Sequence, residues 1–318
     1  IQTPLIAQIK NSSDIKCILT NTNEEALKIS AALKSYKINV KLLQTMENIK
    51  FSNLVEVRYF TRKINTEIGK NPASLTIPEV VWKSAKESLI SKYKNSTALE
   101  NCLNMIEDFE NTNKAKFISD FEDFINESVF EDFYRQDNKS VFISTIHKSK
   151  GREFDTVYLI INGKVKDDDE EKRKIYVGLT RAKSTLNIHY NSNIFDNIDV
   201  KNIERIYDTS TYNNLREISI QLSYKDVILD YFKDKTYDIF SLISGNELLV
   251  ENDYLSIKRG TKNIKVVKFS KSCKEKLNSY LQKGYRPYKS IVRFIVAWKD
   301  KVENKEYPII LADLYLKI

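Results

Sequence analysis

Short apolar runs and helical repeats alternate at the start of the chain. The run IKCILT at residues 15–20 predicts a buried strand, and Thr22 with Glu25 forms the capping-box pattern that opens a helix to about Tyr36. INVKLL at 38–43 predicts the next strand. Because a β-α-β unit joins parallel strands through a right-handed crossover, the pattern predicts α/β architecture.

Apolar residues recur at helical spacing between about Phe51 and Asn138, for example at Trp82, Ala85 and Leu89, which predicts a helical insertion over 51–138. The β pattern returns with VFISTI at 141–146, TVYLII at 156–161 and TLNIHY at 185–190, with a helix between the last two. These runs are apolar on both faces, as in interior strands of a helix-covered sheet. Residues 141–190 are therefore predicted to complete the sheet begun at 15–43.

The last part of the chain has a different pattern. Residues 200–243 predict a mixed helical connector. From Leu248 onward, strands are predicted for LLV, YLSI, IKVVKF, IVRFIVAW and YPIILADLYL, with a short helix at 273–281 and a turn at Gly284. Residues 244–318 thus predict a small β-rich domain, either α+β or barrel-like.

Composition limits the class of protein. A chain of 318 residues exceeds what one hydrophobic core usually supports, so we expect two or three compact units. The chain begins with Ile1 and has no leader pattern and no apolar run of membrane-spanning length. We therefore expect a fragment of a longer, cytoplasmic protein.

Cysteine and histidine are scarce. Cys17, Cys102 and Cys273 are odd in number and far apart, which indicates buried thiols in a reducing compartment instead of a disulfide framework. Because the only histidines are His147 and His189, no cluster has the spacing of zinc ligands, and we predict no structural metal.

The positive charge is confined to the end of the chain. Residues 244–318 hold 16 Lys and Arg against 8 Asp and Glu, so this segment carries the whole net charge of +8. A basic excess of this kind suits binding of a phosphate backbone, and it also suits a solvated lysine-rich surface.

Candidate chemistry first occurs in STIHKSKGREFDTVYLI at 144–160. This segment places His147, Lys150, Gly151 and Glu153 on a tight connection between two buried strands, at the strand edge where α/β sheets present ligand-binding loops. Taken alone, the connection would be a solvated polar turn.

A second segment, EEKRKIYVGLTRAKSTLNI at 170–188, predicts a helix with two distinct faces. One face is a core stripe, which consists of Ile175, Leu179 and Ala182. Another face carries polar side chains, which are Arg173, Tyr176 and Thr180, with Arg181 beside them. Gly178 lowers helix stability by about 1 kcal/mol relative to alanine, which indicates close approach of another element. Taken alone, this could be a solvated charged helix.

Together, the two segments resemble motifs V and VI of UvrD/Rep-like superfamily 1 DNA helicases. The shared patterns are Thr-x-His-x-x-Lys-Gly-x-Glu-Phe and Glu-Glu-x-Arg-x-x-Tyr-Val-x-x-Thr-Arg-Ala. ILTNTNEEA at 18–26 is similar to a third family segment, although Asn21 stands where the family has Arg. The resemblance implies a second RecA-like motor domain, a parallel sheet flanked by helices that is formed by 1–50 and 139–199.

The resemblance also implies roles for single residues. Arg181 matches the family's arginine finger, which stabilises charge on the transferring γ-phosphate. Three residues match positions at the nucleotide, namely Glu153, Gly151 and Arg173. Three others match positions that face single-stranded DNA, namely Thr145, His147 and Lys150.

The seven glycines never produce the Gly-x4-Gly-Lys-(Ser/Thr) spacing of a P-loop. The acidic run Asp167–Glu171 lacks the preceding apolar strand of a Mg²⁺-binding Walker B segment, so we expect a solvated loop there. ATP would thus be held, with Mg²⁺, mainly by a missing N-terminal motor domain, and the fragment alone should be inactive.

The full protein would be an ATP-dependent DNA helicase acting in DNA repair on single-stranded or partly duplex DNA. The alternative is a non-catalytic scaffold that binds DNA or protein.

The basic C-terminal domain interleaves Lys and Arg with aromatic residues. Alternation in IVRFIVAW favours core positions for Phe294 and Trp298, and we expect the same for Phe269. Tyr285 and Tyr288 lie beside a glycine and a proline, so we expect them to be exposed and to stack on DNA bases. The segment also resembles C-terminal segments of long bacterial helicases named as RecQ-like. The alternative is a module that docks a protein partner.

Overall fold

The computed structural model describes residues 5–6, 8–9, 14–43, 50–69, 75–163, 165–166, 168–198, 201–209 and 215–318. The chain forms two compact units. The first consists of Ile1–Gln44 and Gln136–Ile218, and the second of Thr45–Arg135 and Ser219–Ile318.

The main α-helices are α1 (Asn23–Ser35), α2 (Val55–Ile68), α3 (Glu79–Tyr93), α4 (Leu99–Thr112), α5 (Ile118–Glu127), α6 (Asp169–Leu179), α7 (Thr236–Ile239) and α8 (Lys271–Gln282). The strands are β1 (Lys16–Thr20), β2 (Val40–Leu42), β3 (Val141–Thr145), β4 (Phe154–Ile161), β5 (Ala182–Tyr190), β6 (Glu217–Gln221), β7 (Glu247–Glu251), β8 (Tyr254–Arg259), β9 (Lys262–Lys268), β10 (Arg286–Asp300) and β11 (Lys305–Lys317). Short 3₁₀ helices occupy Phe51–Asn53, Phe130–Phe133, His147–Ser149 and Leu229–Lys235.

The first unit is built on a parallel sheet with the strand order β2-β3-β1-β4-β5. Every neighbouring pair in it is parallel. The central strands β1 and β3 are buried along their whole length, as expected for a sheet covered on both faces. The predicted α/β class, with a parallel sheet assembled from both ends of this unit, is confirmed.

Two helices of the first unit begin at side-chain caps. The Thr22 hydroxyl accepts from the Glu25 N–H at 3.2 Å and the Glu25 carboxylate accepts from the Thr22 N–H at 3.1 Å, so the predicted capping box is complete. At α6, the Asp168 carboxylate accepts from the Glu171 N–H at 2.8 Å. The expected acidic loop is therefore wrong over 168–171, because these carboxylates cap and begin a helix whose N-terminus favours negative charge. Asp167 lies outside the described residues.

The second unit contains an antiparallel sheet with the order β6-β11-β10-β7-β8-β9. Strands β10 and β11 form a long hairpin, and α8 joins β9 to β10. The strands predicted after Leu248, the helix at 273–281 and the turn at Gly284 are all present, and Gly284 has the positive φ of 91° that favours glycine after a helix. The prediction of a helical connector missed β6, which has only five residues. Its alternating Ile218 and Ile220 are buried.

An aromatic core holds α2, α3, α4 and α5 together. The ring of Trp82 lies 5.0 Å from that of Phe60, 5.5 Å from that of Phe109 and 5.1 Å from that of Phe121. The indole N–H donates to the Glu110 carboxylate at 2.7 Å. This helical segment was predicted over 51–138, and its helices occupy that range.

The helical segment and the C-terminal sheet pack into one unit. The Thr97 N–H donates to the Ser244 carbonyl at 3.0 Å, and the rings of Phe130 and Phe294 lie 4.7 Å apart. Glu56 is completely buried on α2, where its carboxylate accepts from Ser96 at 2.6 Å and from Ser244 at 3.3 Å. Burial raises the pKa of this carboxyl, and the two hydroxyls oppose that shift. Sequence periodicity could not show this packing, because its contacts join distant segments.

Candidate functional site

The loop between β3 and β4 crosses β1 from the carboxyl edge of the sheet to its amino edge. Strands β3 and β4 both pair with β1, on opposite sides, so their connection must pass over it. The Ile146 N–H donates to the Thr20 carbonyl at 3.0 Å, and the buried Ser149 hydroxyl donates to the Ile146 carbonyl at 2.7 Å. These bonds hold the first residues of the loop, 146–149, at the carboxyl edge of the sheet, where α/β proteins bind ligands. Arg152 and Glu153 directly precede β4 and lie toward the opposite, amino edge, so the predicted placement of the whole loop at one edge is wrong for them.

The predicted residues of this loop differ in access. His147, Lys150, Gly151 and Glu153 are exposed, whereas Thr145 is the last residue of β3 and only 6% exposed. Gly151 has a φ of 81°, a conformation that other residues rarely adopt. The Glu153 carbonyl accepts from the Gln136 amide at 3.2 Å, while its carboxylate lies at the surface.

Helix α6 approaches this loop through Gly178. A Cβ at Gly178 would lie 2.9 Å from Cδ1 of Leu159 on β4 and 3.5 Å from Cδ1 of Ile146. The close approach that the mid-helix glycine indicated is confirmed. Arg173 and Tyr176 are exposed on the opposite side, and Arg173 faces the Asp169 carboxylate at 4.0 Å.

The end of α6 differs from the prediction. The Thr180 N–H donates to the Tyr176 carbonyl and the Arg181 N–H to the Gly178 carbonyl, which closes the helix at Leu179. Ala182 then begins β5 and pairs with Phe154. The expected core stripe therefore contains Ile175 and Leu179 but not Ala182, and Arg181 lies in the turn between helix and strand.

Three hydrogen bonds hold the Arg181 guanidinium in that turn. Its Nε donates to the Val177 carbonyl at 2.9 Å, its Nη1 to the Arg152 carbonyl at 3.1 Å and its Nη2 to the Thr180 hydroxyl at 3.1 Å. A guanidinium has five N–H donors, so two remain beyond these contacts. The bond to Arg152 connects Arg181 to the loop that carries His147 and Lys150.

The sequence argument missed part of this arrangement. It assigned Arg152 no role, because the group that contacts Arg181 is a backbone carbonyl, which leaves no signature in the sequence. It placed Thr180 on the polar face of the helix without connecting it to Arg181. The Thr180 hydroxyl also donates to the Val177 carbonyl at 3.1 Å, which fixes its lone pairs toward the guanidinium.

The second unit holds the two predicted stacking tyrosines. Tyr288 is 40% exposed, with the Lys317 ammonium 4.7 Å from its ring centroid. Tyr285 is only 7% exposed and its ring packs edge-on against Tyr280 at 6.4 Å. The expected exposure of Tyr285 is therefore wrong, because the turn at Gly284 folds the chain back and buries the ring against α8. Phe269 and Phe294 are core residues as predicted, and Trp298 is half-buried.

Burial shifts the pKa of the three cysteines and of His189 away from neutral pH. All three cysteines are buried, as predicted, and burial raises the pKa of Cys273 to about 12. Burial lowers the pKa of His189 to about 4, so its imidazole is neutral near pH 7. The described residues contain no group of three His, Cys, Asp or Glu side chains placed to bind a metal ion. Nor does any helix in the described ranges have the length and apolarity to cross a membrane.

Comparison with known protein families shows which class of protein this chain resembles. Residues 52–193 match the family described as the UvrD-like helicase C-terminal domain. This range includes α2–α5 as well as the loop and helix around Arg181. Residues 52–193, a little under half of the chain, are therefore similar to a UvrD-like helicase C-terminal domain, which confirms the resemblance to superfamily 1 helicases.

A curated relative agrees with this class. The Bacillus subtilis (strain 168) protein YjcD, whose name describes it provisionally as an ATP-dependent DNA helicase, is 35% identical over 89 residues. The matched region covers 23% of this chain and 12% of that protein. The chain thus spans only a small part of the relative's length.

Replacing Gly178 with valine is expected to lower the free energy of unfolding by about 1–3 kcal/mol, since the added atoms overlap buried Leu159. Lys172→Val is the matched control, because it introduces the same residue at an exposed position of α6. Urea denaturation followed by far-UV circular dichroism measures both. Equal stability of the two variants would contradict the close packing of α6 on β4.

Proposed function

We propose that this chain supplies the second half of a composite ATP site in an ATP-dependent DNA helicase or translocase. The observation that carries the proposal is Arg181, which is held by three hydrogen bonds in a UvrD-like domain and keeps two N–H donors for a ligand. A fixed guanidinium suits charge on a phosphoryl group, because its planar donors match phosphate oxygens.

The residues present fit part of a nucleotide site. ATP would supply the γ-phosphoryl group that is transferred to water, with Mg²⁺ held by the P-loop half of the protein. Arg181 would stabilise charge on that group, and the exposed Glu153 carboxylate and Arg173 guanidinium would contact the rest of the nucleotide. Gly151 would allow close approach of the backbone.

The loop over β1 would contact single-stranded DNA. His147 and Lys150 are exposed on it and would contact the strand, with Lys150 pairing to a phosphate. Thr145 is nearly buried, so we propose that it contributes through the backbone at the start of the loop. Tyr288 remains a candidate for base stacking in the second unit, and Tyr285 does not.

The purified 318-residue chain is expected to show negligible DNA-stimulated ATP hydrolysis, because its sequence has no P-loop to bind the triphosphate. Phosphate release with and without oligo(dT) measures this. The matched control is the protein that contains both this chain and a P-loop domain, which should turn over ATP under the same conditions. Turnover by the 318-residue chain, free of contaminants, would refute the proposed division of the ATP site.

A further inference from the structure

A group of two tyrosines and three lysines lies together in the second unit. We call it the Tyr231–Tyr254 cluster, and it consists of Tyr231, Tyr254, Lys235, Lys265 and Lys268. Tyr254 begins β8, the two lysines Lys265 and Lys268 lie on the neighbouring edge strand β9, and Tyr231 and Lys235 belong to the 3₁₀ helix Leu229–Lys235. Three separate segments therefore build one surface.

A bulge places both β9 lysines over the same ring. In a regular strand, residues three apart point to opposite faces, so Lys265 and Lys268 should diverge. Here Leu255 pairs with Val267 while Ser256 pairs with Lys265, so β9 contains one extra residue at this point. Both ammonium groups consequently approach Tyr254, at 4.2 Å and 5.8 Å from its ring centroid.

The two rings are neighbours, tilted by 52° to each other, with lysine ammonium groups around them. The centroids of Tyr231 and Tyr254 lie 5.9 Å apart, and the Tyr231 hydroxyl reaches the Lys265 carbonyl at 3.4 Å. The Lys235 ammonium lies 5.6 Å from the Tyr231 centroid. Each ring is half-buried and has a lysine ammonium within reach of its π face.

The nearby carboxylates have other partners. Asp253 pairs with Lys274 at 3.1 Å, and the Glu251 carboxylate accepts from Ser256 and Asn263, both at 2.5 Å. Within the described part of the chain, none of the three lysines of the cluster forms an ion pair. Lys265 helps to lower the pKa of Glu251, so that carboxylate offsets part of the positive charge. An anionic ligand would still meet three lysine side chains around two neighbouring rings.

We propose that the Tyr231–Tyr254 cluster binds single-stranded nucleic acid, with the lysine ammonium groups moving from the ring faces onto phosphates and the tyrosine rings stacked on bases. The choice of ligand rests on the proposed function, in which the protein moves along single-stranded DNA. A lysine-rich edge strand also discourages pairing with other strands, which accounts for charge on β9. Discouraging strand pairing requires no aromatic rings, whereas stacking on bases requires them.

The lysine test uses the 318-residue chain and a fluorescein-labelled oligo(dT) of about 20 nucleotides, with anisotropy measured at about 50 and about 200 mM salt. The triple variant Lys235→Gln, Lys265→Gln, Lys268→Gln should bind at least about tenfold more weakly at the lower salt concentration. Its salt slope should fall by about 2, since each phosphate contact on a single strand contributes about 0.7. The charge-matched control replaces exposed lysines elsewhere in the same domain, namely Lys276, Lys299 and Lys301.

The tyrosine test separates stacking from charge. Tyr231→Leu and Tyr254→Leu should each weaken oligo(dT) binding by about 5-fold to 150-fold, the range expected for one stacked base. The matched Phe variants keep the ring and should bind within about twofold of the wild type. The Leu variants should leave the salt slope unchanged, because a stacking contact releases no counterions.

Three results would overturn the proposal. The first is an equal loss of oligo(dT) affinity in the triple lysine variant of the cluster and in the control variant. The second is wild-type oligo(dT) binding by both Leu variants. The third is displacement of oligo(dT) by polyglutamate at matched charge. The last result would indicate an acidic protein partner. None of them would touch the proposed ATP site, which is tested independently through ATP turnover and Arg181.

Discussion

Arg181→Ala, in the protein that contains both this chain and a P-loop domain, is expected to lower ATP turnover by about 10³-fold or more. Binding of single-stranded DNA should remain close to that of the unaltered protein. The loss should appear in kcat, because the guanidinium acts on charge that develops in the transition state, whereas binding of ground-state ATP depends mainly on the other half of the site.

The geometry around Arg181 sharpens this test. Lys183→Ala is the matched control, since it removes a positive charge two residues away at an exposed position of β5. Thr180→Val removes the hydroxyl that accepts from Arg181, so it should lower kcat less than Arg181→Ala, and Thr180→Ser should restore the rate. Wild-type turnover by Arg181→Ala, or equal losses in Arg181→Ala and Lys183→Ala, would remove Arg181 from the site.

Trp82→Ala is expected to cost the second unit about 3–5 kcal/mol of stability. Trp82 is 1% exposed and contacts three phenylalanine rings, so truncation opens a cavity that the rigid neighbours cannot fill. It also removes the indole N–H that donates to Glu110, although Lys86 still pairs with that carboxylate at 2.9 Å.

The matched variant Trp82→Phe separates these effects. It keeps an aromatic ring in the core and removes the indole hydrogen bond, so its cost should be well under half that of the alanine variant. Urea unfolding followed by far-UV circular dichroism compares the two, and the remaining Trp298 reports on the same unit by fluorescence. Equal stability of Trp82→Ala and the wild type would show that this aromatic cluster does not support the helical segment.

The sequence by itself determined the elements of the first unit and the loop that carries its candidate chemistry. Strands β1, β3 and β4 are apolar on both faces, and Thr22 with Glu25 marks the start of α1, so these elements follow from local pattern. Gly178 also indicated close packing of α6 from its position alone. The two motifs were sufficient to indicate the helicase family, because their residue types occur at fixed local spacing.

Only the tertiary structure decided what surrounds the individual side chains. The carbonyl that holds Arg181 comes from Arg152, 29 residues earlier, and the pairing of Ala182 with Phe154 ends α6 before Arg181. Tyr285 is buried by the turn that returns the chain to α8. Lys265 and Lys268 share a face because of a bulge in β9. The physical reason is common to all of these: local periodicity reports which face of an element is apolar, whereas hydrogen bonds, strand register and ring burial depend on partners that are distant in the sequence.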